Sequence, residues 1–105
     1  MQTLPDATAS PIDPAGAVVL RLSVRNHPGV LSHVSGLFAR RAFNVDGVLC
    51  LPIGDCTRSA VLLLVRADDR LEQLERQLAK LEDVLEIRVD PDGWRAFAAV
   101  AAQLG

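Results

Sequence analysis

Val18-Val19-Leu20-Arg21-Leu22-Ser23-Val24-Arg25-Asn26-His27-Pro28-Gly29-Val30-Leu31 decides the architecture, because the period of its apolar residues changes in the middle. Up to Arg25, Val18, Leu20, Leu22 and Val24 alternate with Val19, Arg21, Ser23 and Arg25, the period of two that a strand requires. Asn26-His27-Pro28-Gly29 then breaks the pattern, since Pro28 lacks a backbone donor and Gly29 tolerates angles that other residues resist. Beyond the break, Val30, Leu31, Val34, Leu37 and Phe38 recur at helical spacing, with Ser32, His33, Ser35, Arg40 and Arg41 mainly on the other side. The spacing predicts a helix of about three turns, with basic residues in its last turn to suit the macrodipole. Gly36 inside it is expected to mark close packing against a neighbouring backbone.

Two further strands are expected downstream, Asn44 to Ile53 and Ser59 to Val65, joined by Gly54-Asp55-Cys56-Thr57-Arg58. Pro52 cannot donate to a ladder, which places the first of the pair at a sheet edge. Asp68-Asp69 opens a second helix with an apolar stripe of Leu71, Leu74, Leu78 and Leu81, acidic residues early and Lys80 late. Val84 to Val89 alternates again, with Leu85, Ile87 and Val89 expected on one face. Strand, helix, strand, strand, helix, strand is the βαββαβ, ferredoxin-like plan: an α+β domain over residues 17–90, with a four-stranded antiparallel sheet and both helices on one face.

The flanks read differently. Residues 1–16 hold three prolines among small and polar residues and are expected to form a disordered or extended leader. Asp90-Pro91-Asp92-Gly93 is a turn, and residues 91–105 carry Trp94, Phe97, Ala101 and Leu104 on one helical stripe. That tail is either a short amphipathic helix folding back on its own sheet or a docking element for a partner. On the side of the sheet away from the two helices, Val19, Val61, Leu63 and Val65, or their alternates, leave a partly apolar face that something must cover.

A chain of 105 residues builds one core and not two. Half of it is hydrophobic, with a mean hydropathy of +0.23, a surplus that an oligomer or a larger partner would relieve. Apolar runs such as Ala60 to Val65 fall far short of the roughly 20 residues of a spanning helix. The N-terminus lacks a basic and apolar signal pattern, so a cytoplasmic location is expected. A net charge of -2 with interspersed signs argues against nucleic acid, and four aromatic residues offer little for base stacking. Cys50 and Cys56 lack metal or redox spacing, with only His27 and His33 to join them, and are read as reduced thiols.

The pattern contains no nucleophile with an evident base, no phosphate loop and no ligand cluster for a metal. His33, beside Ser32, reads as a surface histidine. The informative segment is Asn26 to Leu31, where a strand ends and Gly29 allows close approach to a helix start whose N–H groups lack partners. Such a terminus accepts a small carboxylate. Equally, Asn26 caps the turn and Gly29 merely permits it. Asn44 is a second candidate: an ordinary turn residue, or, with Asn26, a receptor for the ammonium and carboxylate of a free amino acid.

Leu20 to Leu31, running on through Gly36-Leu37-Phe38-Ala39-Arg40-Arg41-Ala42-Phe43-Asn44-Val45 to Leu51-Pro52-Ile53, resembles the small regulatory subunits of acetolactate synthase, also called acetohydroxyacid synthase. The segment from Asp69-Arg70-Leu71-Glu72-Gln73-Leu74 to Lys80-Leu81-Glu82-Asp83-Val84 resembles the same family, and the Asn-His-Pro-Gly turn is similar to the isozyme I type. The resemblance implies an ACT domain, a module that binds amino acids at the interface of a side-by-side homodimer. It implies valine as effector, held by Asn26, Gly29, Val30 and Leu31 and closed by Asn44 and Val45 near the edge strand of the neighbouring protomer. It further implies a non-catalytic subunit that activates a large catalytic subunit and confers valine feedback inhibition on it. Thiamine diphosphate, FAD and magnesium are expected only in that catalytic subunit, with no cofactor in this chain. A free-standing ACT-domain sensor acting on another enzyme is the alternative. A small hydrolase of the acylphosphatase kind, using Arg25 with Asn26, has the least support.

Overall fold

Period-two alternation at Val18–Arg25 and the continuous apolar run Ala60 to Val65 commit their segments to one antiparallel sheet, and the register of that sheet decides which side chains meet. The computed structural model describes residues 16–26, 29–41, 45–67 and 69–105. Its elements are β1 (Ala17–Arg25), α1 (Val30–Arg41), β2 (Val45–Ile53), β3 (Arg58–Arg66), α2 (Leu71–Ala79), β4 (Val84–Val89) and α3 (Trp94–Leu104). The strand order is β2-β3-β1-β4, with every neighbouring pair antiparallel. Pro52 accordingly lies on an edge strand, where a residue without an N–H is tolerated, paired with Ser59 of β3. The expected leader, residues 1–15 of it, lies outside the described residues.

One face of the sheet carries Leu20, Leu22 and Val24 from β1 and Val61, Leu63 and Val65 from β3, all fully buried. Against them pack Val30, Val34, Leu37 and Phe38 of α1 and Leu74 and Leu78 of α2, while Leu71 and Leu81 extend the α2 stripe at the margin. Each fully buried aliphatic side chain contributes about 1.5–3 kcal/mol of transfer free energy, so this layer dominates the stability of the domain. Asp69 does not open α2 as expected: the N-cap is Arg70, without a side-chain cap, and the helix begins at Leu71.

The register decides one further expectation between its two options and corrects another. Val61, Leu63 and Val65 face the helices, and it is their alternates Leu62 and Leu64, with Val19, that form the opposite face. On β4, the pairing steps from Ser23–Glu86 to Val24–Val84, which leaves Leu85 as an extra, unpaired residue. That bulge turns Val84 onto the face of Ile87, so both pack on the core while Leu85 is 45% exposed. Among the described residues Gly36 meets no neighbouring backbone either; of their atoms, a Cβ there would come near only the Arg40 guanidinium, at 3.4 Å.

The opposite face is covered in part by the chain's own tail. Phe97 of α3 is buried against Val19 and Leu64, with Trp94, Leu49 and Leu62 around it. Asp90 starts this return: its N–H donates to the Val19 carbonyl at 2.8 Å, and its carboxylate accepts from the Asp92 N–H at 3.1 Å. Two glycines allow the close approach. A Cβ on Gly93 would lie 2.6 Å from Val19 Cγ1, and one on Gly47 would lie 2.9 Å from the Phe97 ring. Of the tail's expected stripe, Phe97 is buried, Trp94 and Ala101 are half-buried, and Leu104 is 84% exposed.

Candidate functional site

β1 and β2 are both antiparallel to β3, so their C-terminal ends lie at the same end of the sheet, beside the start of α1. The residues singled out in the Asn26 to Leu31 turn gather there. Gly29 has φ +90, the left-handed region where glycine carries no steric cost, and among the described residues nothing lies within 4 Å of where its Cβ would stand. Its carbonyl accepts the His33 N–H at 3.1 Å, closing the first turn of α1. The N–H groups of Val30, Leu31 and Ser32 therefore precede the helix's own ladder and face outward as donors, with no acidic side chain in that turn. Val30 sends its side chain into the core and can offer a ligand only its backbone, whereas Leu31 is 40% exposed.

Asn26 is more constrained than an exposed turn residue need be. Its backbone N–H donates to the Thr57 carbonyl at 3.0 Å, and its side-chain Nδ2 donates to the Cys56 carbonyl at 2.8 Å. Both acceptors belong to the β2–β3 turn. That turn is built by the Cys56 N–H donating to the Ile53 carbonyl at 3.0 Å, with Gly54 and Cys56 both left-handed, at φ +61 and +70. The Asp55 carboxylate accepts the Thr57 hydroxyl at 2.6 Å and the Thr57 N–H at 3.0 Å. These bonds, the hydroxyl's first, hold the Asp55 carboxyl below its ordinary value. Nearby, the Arg25 N–H donates to the Asp83 carbonyl at 3.0 Å, and His33 Nδ1 lies 3.6 Å from the Asp83 carboxylate.

Val45, also expected at the site, is not brought to this end by one chain. Val45 begins β2 at the far end of the sheet, opposite Val65, whereas Asn26 follows the Arg25–Arg58 pair. The separation along β3 is about 23 Å, from seven rises of roughly 3.3 Å each. Asn44, with His27 and Pro28, lies outside the described residues.

A concavity of about 430 Å³ was not anticipated from the sequence; Gly47, Leu49, Leu64, Phe97, Val100 and Leu104 supply its apolar lining, and Asp46 and Arg66 its charged groups. It lies between α3 and the β2–β3 pair, away from the Asn26 turn; the amphipathic stripe of the tail was its sequence signal. Cys50 and Cys56 are free and exposed. Among the described residues no cluster of His, Cys, Asp and Glu could hold a metal ion, and no helix is long and apolar enough to cross a membrane.

The fold is that of an ACT domain. It superimposes on the ACT domain from GTP pyrophosphokinase of Chlorobium tepidum with a TM-score of 0.60 over 71% of this chain and 97% of that one, at only 14% identity. A closer likeness is to the small subunit of acetolactate synthase from Thermotoga maritima, with TM-score 0.65 and 34% identity over 71% of this chain and 48% of that one, so that this chain spans about half its length. The sequence matches the model of the AHAS small subunit-like ACT domain over residues 20–86. It is also 62% identical over 84 residues to the acetolactate synthase isozyme 1 small subunit of Escherichia coli, covering 80% of this chain and 88% of that protein. This chain belongs to the acetolactate synthase small-subunit family.

Proposed function

We propose that this chain is the regulatory subunit of an acetolactate synthase, which binds and activates the large catalytic subunit and makes it sensitive to valine. The supporting observation is the Asn26–Gly29–α1 turn: a left-handed glycine with no described residue within 4 Å of its Cβ position, outward N–H groups at a helix start, and, at the end of the preceding strand, a carboxamide held by the β2–β3 turn. The N–H groups suit the effector's carboxylate, and Leu31 offers an apolar contact for a branched side chain.

The site is completed by a second copy. β2 is an edge strand, with Val48 and Leu51 exposed on it at 42% and 59%. If two β2 edges pair antiparallel about a two-fold axis, the partner's Val45 moves from the far end of the sheet to the end that carries Asn26. Asn44 of the partner subunit would follow it. Valine bound there touches both copies and stabilises the dimer, and the catalytic subunit senses the dimer's state. On this reading thiamine diphosphate, FAD and magnesium serve the catalytic subunit, and the reaction takes place there.

Reconstitution of the full chain with its large subunit tests the proposal through acetolactate formation with and without valine. Added small subunit should raise the rate, and valine should lower it only when the small subunit is present. Valine binding without any association with the large subunit would instead make the chain a free-standing sensor. Absence of both effects would overturn the proposal.

A further inference from the structure

The carboxamide of Asn26 has two N–H groups and one carbonyl oxygen. One N–H is engaged by the Cys56 carbonyl at 2.8 Å. Because that partner can only accept, the bond also dictates which end of the amide is nitrogen. The next carbonyl along, that of Thr57, holds the Asn26 backbone N–H at 3.0 Å. Consecutive carbonyls of one turn therefore grip both the main chain and the side chain of a single residue. What the amide keeps for a ligand is one N–H and one carbonyl oxygen, a donor for a carboxylate and an acceptor for an ammonium.

The Cys56 carbonyl reaches Asn26 from a left-handed residue. Among the described residues Cys56 is the only non-glycine with positive φ, a conformation that side chains disfavour and glycine accepts freely. Such outliers persist where the surrounding structure requires the geometry. Here the Asp55 carboxylate holds the turn from one side and Asn26 from the other.

We infer that the β2–β3 turn is a positioning element of the effector site, in which the left-handed backbone of Cys56 holds the Asn26 carboxamide in the orientation that receives a free amino acid. The thiol takes no part; the carbonyl acts. The inference rests on the effector reading above and adds to it a segment that need not touch the ligand. Its benefit is that one flexible side chain is ordered before the ligand arrives, worth about 3- to 10-fold in affinity.

Calorimetric titration of the full chain with L-valine tests this, read beside the side-chain amide resonances of Asn26 in nuclear magnetic resonance spectra. Cys56→Gly keeps the left-handed backbone and the carbonyl, so it should bind valine as the wild type does, with the Asn26 amide signals retained. Cys56→Val crowds a β-branched side chain into that conformation and should weaken valine about 3- to 10-fold, with the Asn26 signals shifted toward those of a free amide. Asp55→Ala loosens the same turn from an exposed position that does not threaten folding, and should shift both readouts in the same direction. Wild-type affinity and unshifted Asn26 signals in both Cys56→Val and Asp55→Ala would overturn the positioning role while leaving the effector reading intact. A wild-type chain that binds no valine would overturn the effector reading, and this inference with it.

Discussion

Replacing Phe97 with alanine tests whether the tail helix belongs to the fold or only rests beside it. The ring is 6% exposed and forms the centre of the second cluster, with Val19 and Leu64 beneath it. Removing a buried Phe side chain costs about 3–5 kcal/mol, from lost transfer free energy plus the cavity left behind. This cluster has three buried members rather than the twelve of the main core, and α3 can settle toward the sheet, which places the cost near the lower limit, at about 3 kcal/mol. For a domain of this size each kcal/mol lowers Tm by about 4–8 °C, so Phe97→Ala should melt at least about 12 °C below the wild type. Far-ultraviolet circular dichroism melts at matched protein concentration measure this, since self-association would otherwise move Tm. Leu104→Ala, on the same helix but 84% exposed, is the control and should change stability by no more than about 0.5 kcal/mol. A Phe97→Ala shift below about 3 °C would refute the packing argument and leave α3 outside the cooperative unit.

Gly93→Ala should destabilise the chain by about 2 kcal/mol, because the new methyl group would meet the β-branched Val19 at 2.6 Å and α3 must shift to admit it; chemical denaturation measures this. Gly29→Asp combines a left-handed backbone with a carboxylate where the effector's own should sit, so valine inhibition should be lost while activation of the large subunit survives. Equal valine sensitivity of mutant and wild-type holoenzymes would dismiss that placement. The Asp55 carboxyl titrates below 3.8 in the folded chain, so what it contributes to the β2–β3 turn is fully present above that pH and is lost as pH falls through the lowered value. Thr57→Ala removes the hydroxyl that is the largest cause, and the Asp55 titration followed by nuclear magnetic resonance should move up toward 3.8.

Element order was legible because periodicity reports burial directly: the alternation around Leu20, Leu22 and Val24 and the α1 spacing of Val30, Val34 and Leu37 match observed core positions. The edge position of β2 followed from Pro52 for a chemical reason, its missing donor. What periodicity leaves out is the identity of the surface against which a stripe is buried. Trp94 and Phe97 announced an apolar face, yet only the register of Val19 and Leu64 shows that this chain's own sheet receives it. The β4 bulge was hidden for a related reason: Val84, Leu85 and Ile87 are all apolar, and an extra residue among them leaves no mark in composition. Gly29 takes a left-handed backbone, φ +90, which a turn glycine supplies whether or not a ligand approaches it. The bond from Asn26 to Cys56 spans 30 positions and depends on a cysteine in a glycine-like conformation, so no local pattern could announce it.

With α1 and α2 on one side of the sheet and α3 on part of the other, the strand margins carry much of the exposed apolar surface: Val48 and Leu51 on β2, Leu85 and Val89 on β4. The two margins differ in sequence, and this difference sets the arithmetic of growth. Joining like to like, β2 against β2, consumes one margin in each copy and ends at two as long as β4 takes no partner. Joining β2 to β4 leaves a fresh margin at every step and has no natural end. The Leu85 bulge, together with the charged Glu86 and Arg88 beside it, makes β4 a poor template for such addition. A single surplus residue in the last strand would thus help decide whether any assembly of copies is countable.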